Sequence, residues 1–258
     1  MMSWVLLAMF VGPLPGTGPW TPPKNPDPHA ILDEASKDVG QGRHAVALAK
    51  LLWFHDNALK YDPHLSAVRL SFALSYWSEL AKDYPPALEA LKKTRDDALE
   101  EFGRQRQDDD GAFDAFQEFE SINQHLGEES LTASTFAELS AKRPEAARRV
   151  FHVARSALIR AKAYELCGKY VRPAEDWLNA AQLYQIHRGM KEFGPEHTEY
   201  LEKSFTNEVA TLLALLVVNG RRDEAEQIAQ KARLEWDNPA FHAALDSALT
   251  GEVPEPWP

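Results

Sequence analysis

The chain has 258 residues, a formal net charge of −11 at pH 7 and 44% hydrophobic residues. That is long enough for one large domain or one elongated array with a real core. The acidic balance argues against a general nucleic-acid binder, which needs a basic face to meet phosphates. Cys167 is the sole cysteine, which excludes an internal disulfide and a cysteine-based zinc cage.

Met1 to Val11 are largely apolar until Gly12, Pro13 and Pro15 break the run. The run is too short to span a membrane as a helix and has the length of a secretory h-region. No Lys or Arg precedes it, and Gly16-Thr17-Gly18 before Pro19 is a poor cleavage site. Export to an extracytoplasmic compartment and a cytoplasmic protein with a disordered tail both stay open. Pro13, Pro15, Pro19, Pro22, Pro23, Pro26 and Pro28 follow. Such density forbids regular helix and predicts an extended linker or a strap over the first helices. Residues 1–28 therefore form a segment of their own, 29–250 a helical domain, and 251–258 a Pro-rich tail.

Within 29–250 the apolar residues recur at helical spacing. Ala45, Leu48, Ala49, Leu52, Trp53 and the pair Phe54 and Ala58 follow three- and four-residue steps, and Asp62-Pro63 stops that helix. Leu70, Ala73, Leu74 and Trp77 share a face before the turn at Tyr84-Pro85-Pro86, and Ala87 to Phe102 follows as a partner helix. Cys167, beside Leu166 at a helix end, reads as a small buried apolar side chain. Val209 to Val218 reads as a buried helix, too short for a membrane span. Gly220 then opens a turn into a helix with Ala225, Ala229 and Ala232 where a neighbour must come close. About ten helices in pairs are expected, and no alternating strand pattern of useful length occurs.

The residues Ala161, Tyr164, Gly168, Tyr170, Trp177 and Ala180 resemble the tetratricopeptide-like helical repeat family. Gly220, Ala225 and Ala232 give a second match, Asn57 to Pro63 resembles the motif's closing segment, and Gly127, Phe136 and Pro144 give a weaker match. The resemblance implies an all-α fold, a right-handed helix–turn–helix solenoid of about five irregular pairs. It departs from the family in its period. Turn residues Gly42, Lys82, Gly127, Gly168 and Gly220 stand 40, 45, 41 and 52 apart, against about 34 for the family.

The same resemblance implies a concave groove that binds a protein or peptide, without cofactor. Lys142, Arg143, Arg148, Arg149, Arg155, Arg160 and Lys162 cluster with Glu145 as their one acid. Arg148, Arg155 and Lys162, seven apart, are expected on one helix face with His152 beside them. One reading is a basic groove for an acidic peptide or a carboxylate terminus. The other is a solvated face paired with acids of neighbouring helices. Repeat mapping adds Arg69, Phe72 and Tyr76, with the core as the alternative for the two aromatics, and Asn207. Arg106 to Gly111 has the composition of a calcium loop without its ligand pattern. His187, Glu196 and His197 form the nearest metal-like cluster, straddling Gly189, Gly194 and Pro195. An enzyme with a site around Arg155, His152 and Glu165 and a structural subunit of an assembly are the alternative functions.

Overall fold

In a computed structural model the described residues are 20–105, 110–189 and 195–257, and among them every regular element is helical. The expected signal region and most of the Asp-rich loop lie outside these residues. The chain forms two compact units, one up to Lys93 and one from Thr94 onward.

The first unit begins with α1 (Pro28–Gly40) and α2 (His44–Tyr61), an antiparallel pair. Asp27 caps α1 by accepting from the backbone N–H groups of His29 and Ala30, and Pro28 occupies the first turn, where its missing N–H costs nothing. Ahead of α1, Trp20 packs edge-on against Trp53 of α2 at 6.3 Å, so the described part of the Pro-rich segment does contact the first helices. Lys50 is almost fully buried between Asp38 (2.8 Å) and Glu34 (2.7 Å), and Arg43 also pairs with Asp38. Burial opposes the charge on Lys50, but the two carboxylates outweigh it and hold its pKa above the ordinary value.

A 3-10 turn (Pro63–Leu65), α3 (Ser66–Leu70) and α4 (Phe72–Asp83) follow. Phe54, Leu74 and Trp77 fill this unit's core, and the Trp77 indole donates to the Ala87 carbonyl at 3.0 Å. α5 (Pro85–Arg104) begins in the first unit and ends in the second.

The second unit continues with α6 (Asp110–Leu126), α7 (Glu129–Lys142), α8 (Pro144–Arg160), α9 (Tyr164–Gly168), α10 (Pro173–Arg188), α11 (Pro195–Val218), α12 (Arg222–Glu235) and α13 (Pro239–Leu249). α7 packs on α8, and α11 is the hub against which α9, α10, α12 and α13 pack. As its sequence indicates, α11 is deeply buried from Val209 to Leu216. Ala225, Ala229 and Ala232 all lie buried on the inner face of α12. Cys167 is fully buried, and burial raises its thiol pKa to about 11.

Thirteen α-helices are found among the described residues against about ten expected from periodicity, and two of the thirteen, α3 and α9, are short helices of five residues. The α8 break changes the expected register. Gly42, Gly127 and Gly220 each end a helix with positive φ, and the next residue's N–H returns to a carbonyl five residues back. The same turn closes α8, but the left-handed position belongs to Lys162, at φ 55°, with Ala163 N–H bonded to the Leu158 carbonyl at 2.9 Å. Gly168 therefore does not form that turn, and Lys162 is not on a helix face shared with Arg148 and Arg155.

Candidate functional site

Arg148, His152 and Arg155 do converge. They line a half-open pocket of about 660 Å³ framed by α8, α10 and α11. Its apolar floor is aromatic: Phe151 and Tyr170 stack at 5.5 Å, and Tyr184 and Phe205 stack at 4.3 Å. Phe151, Tyr184 and Phe205 come from helices whose three- and four-residue steps turn them inward, and Tyr170 from the turn after α9. Tyr170 is fixed further by donating to Ser140 Oγ at 2.8 Å.

The charged groups of the pocket behave differently from one another. Arg155 is half-buried and forks onto Glu208 of α11, with Nη1 at 2.7 Å from Oε1 and Nη2 bonded to Oε2. Burial opposes the guanidinium charge, and Glu208 more than compensates, so its pKa stays above the ordinary value. The acid that the basic cluster needs thus comes from a helix 53 residues on. His152 stacks on Phe113 at 5.2 Å, and burial, followed by the Arg155 charge, holds its pKa below the ordinary value. Asp176 accepts from the Arg172 N–H at 2.8 Å, yet burial keeps its pKa raised.

Arg148 and Arg172 sit at the rim in exposed three-residue pairs with Glu145 (3.6 Å) and Glu175 (2.7 Å). Such pairs contribute little and yield readily to a better partner. Lys142 and Arg160 likewise reach Glu138 and Glu129. Apolar surface continues outward from the pocket: Leu183 is 57% exposed and Ile186 58%. Sequence reasoning missed these two, because α10 is apolar both on its buried Trp177–Tyr184 side and on its outer side.

The remaining predicted residues lie elsewhere. Lys162 and Glu165 line a separate cavity with Lys169 and Tyr164, so Glu165 does not join His152 and Arg155. Arg69, Phe72 and Tyr76 belong to the first unit. There Arg69 Nη1 approaches His55 Nε2 at 3.0 Å, Tyr76 is half-buried, and Phe72 is 62% exposed and so not a core residue. Asn207 on α11 bonds the segment that follows α13: its Nδ2 donates to the Glu255 carbonyl at 2.8 Å, and its Oδ1 accepts from Trp257 N–H at 3.1 Å. His187 and His197 are ring neighbours at 6.3 Å, and among the described residues no group of three metal-ligating side chains forms. Nor is any helix among them long and apolar enough to cross a membrane. No protein-family model, curated protein or solved structure matches this chain.

Proposed function

We propose that this protein is a non-catalytic binding module, built of tetratricopeptide-like helix pairs in a right-handed solenoid, that takes a protein or peptide partner. The observation that carries this reading is the α8–α10–α11 pocket: an aromatic floor beneath a rim bearing Arg148 and Arg172, continuous with exposed Leu183. Aromatic and apolar surface anchors a partner's side chain, and rim arginines attract carboxylates around it. The matching partner is a segment with acids flanking an aromatic or leucine residue, and nucleic acid is outside this class. The enzyme alternative grouped Glu165 with His152 and Arg155, and Glu165 lines another cavity, which favours the binding reading. The sole thiol, Cys167, is buried and held protonated, so it supplies no nucleophile.

The test is selection of a random-sequence peptide library on the immobilised full chain. Selected peptides are expected to carry acids beside an aromatic or leucine. Their binding should weaken with salt and fall in Arg148→Glu with Arg172→Glu and in Leu183→Asp. Selected peptides that bind both variants as tightly as the unaltered chain would refute this site.

A further inference from the structure

The segment after α13 lies along α11 in the opposite direction. Gly251, at φ 92°, stands where an added Cβ would be 3.6 Å from Val217 and Val218. Val253 packs on the core, Glu255 and Trp257 meet Asn207, and the Trp257 ring lies 6.2 Å from Tyr200 and 5.9 Å from Lys203 Nζ. The main chain thus retraces α11 from Val217 back to Asn207 between Gly251 and Trp257, and the Trp257 ring reaches on toward Lys203 and Tyr200. An extended chain rises about 3.3 Å per residue and a helix about 1.5 Å, so only an extended segment covers that path.

Three features distinguish this contact from ordinary packing. Asn207 bonds the main chain at two residues and so reads an extended backbone whatever its side chains. Trp257 is left 37% exposed, clamped between a ring and a cation on the surface. Pro256 and Trp257 line one side of a cavity of about 80 Å³ whose other walls include Ser156, Ser204, Asn207, Thr211 and the Arg155–Glu208 pair. A proline offers this polar cavity nothing. The segment fits the backbone clamp and the aromatic clamp, but not the space between them.

We infer that the Asn207 face of α11 is a binding site for an extended peptide, and that residues 252–257 are its resident internal occupant, displaceable by a better one. The displacing partner is an extended segment with a tryptophan to sit by Tyr200 and Lys203. Where Pro256 stands it carries a small hydroxyl side chain, which enters the polar cavity. This site adjoins the aromatic pocket, sharing Tyr200, Ser204 and the Arg155–Glu208 pair with it, but the rim residues Arg148, Arg172 and Leu183 line the pocket and not the cavity by Trp257.

The probe is a fluorescent peptide with the sequence of residues 251–258, measured by anisotropy against the full chain. A tethered occupant competes at an effective concentration of about millimolar, so the Trp257→Ala chain should bind the probe roughly tenfold or more tightly than the unaltered chain. Adding Asn207→Ala should remove that gain, and a probe with serine in place of the second last proline should compete more strongly. If Trp257→Ala fails to fold, Pro256→Gly, which loosens the segment through backbone entropy, must give the same gain. Equal binding by altered and unaltered chains, or no binding by either, overturns the inference. A concentration-dependent dimer of the unaltered chain that Trp257→Ala abolishes also overturns it, since the segment would then occupy a second copy. Loss of peptide binding at the Arg148–Arg172 rim leaves this result unaffected, so the two readings fail separately.

Discussion

Gly168 on α9 and Asn219 at the end of α11 occupy adjoining space that a single Cβ would close. A Cβ on Gly168 would stand 2.6 Å from Asn219 Nδ2 and closer still to Cγ and Oδ1. The carboxamide cannot simply swing away, because Nδ2 donates to the Tyr164 carbonyl at 2.9 Å and the Leu215 carbonyl at 2.7 Å. Glycine here serves close approach of two helices rather than a turn. Gly168→Ala is expected to destabilise the fold by roughly 1–3 kcal/mol through overpacking and loss of those bonds. Denaturant titration of Gly168→Ala, Asn219→Ala and the double variant checks it. The double variant should lose less than the two single losses added together.

Lys162 holds a left-handed conformation that glycine holds at the other three turns of this kind. A side chain there carries a steric penalty of about 1 kcal/mol. Lys162→Gly is therefore expected to raise the denaturation midpoint or leave it unchanged, the looser unfolded chain offsetting part of the gain. A clear loss of stability would show that the Lys162 side chain contributes more than its strain costs.

Ala232 is fully buried where α12 meets its neighbours. Ala232→Leu adds volume to a packed contact and is expected to cost roughly 1–3 kcal/mol. A denaturation midpoint equal to that of the unaltered chain would contradict tight packing at this point.

Glu120 of α6 is buried, and burial raises its pKa from 4.5 to about 7, with Arg160 lowering it and Glu129 adding to the rise. The folded state therefore holds a proton that the unfolded state releases first. The folded state is penalised progressively as pH rises from about 4.5 to 7, and fully above that. A shift of this size corresponds to roughly 3 kcal/mol. Glu120→Gln should stabilise the protein at pH 8 and make no difference at pH 4, as measured by thermal melting at both values. A variant equally stabilised at both would refute the titration.

Arg155→Ala would leave Glu208 partly buried without its partner. The expected cost is about 1–2 kcal/mol, with solvent at Glu208 screening the remainder. Replacing both by apolar residues, Arg155→Met with Glu208→Leu, should restore most of it. Chemical denaturation of the three chains distinguishes a structural pair from an inert one.

The helical character of this chain was written in its local spacing. Apolar residues at three- and four-residue steps select a helix whatever surrounds them, and so α2, α4, α11 and α12 were legible, as was the burial of Ala225, Ala229, Ala232 and Cys167. The end of α8 was not, because the left-handed turn there falls on a lysine, and a side chain gives no sign of a conformation that glycine adopts by default. Of the site, Arg148, His152 and Arg155 were legible as one helical face. Glu208, the rings of Tyr184 and Phe205, and exposed Leu183 come from other helices, Tyr170 comes from the turn after α9, and none has a spacing relation to α8. The same holds for Asn207 and Trp257, fifty residues apart. Periodicity marks a helix, but in α2, apolar nearly all round, it did not give the buried side: Ala47, Leu51, Phe54 and Ala58 are buried and Ala45 is exposed. The choice of side and neighbour comes from how the helices fill space together. That packing decided which charge Arg155 answers and which segment lies along α11.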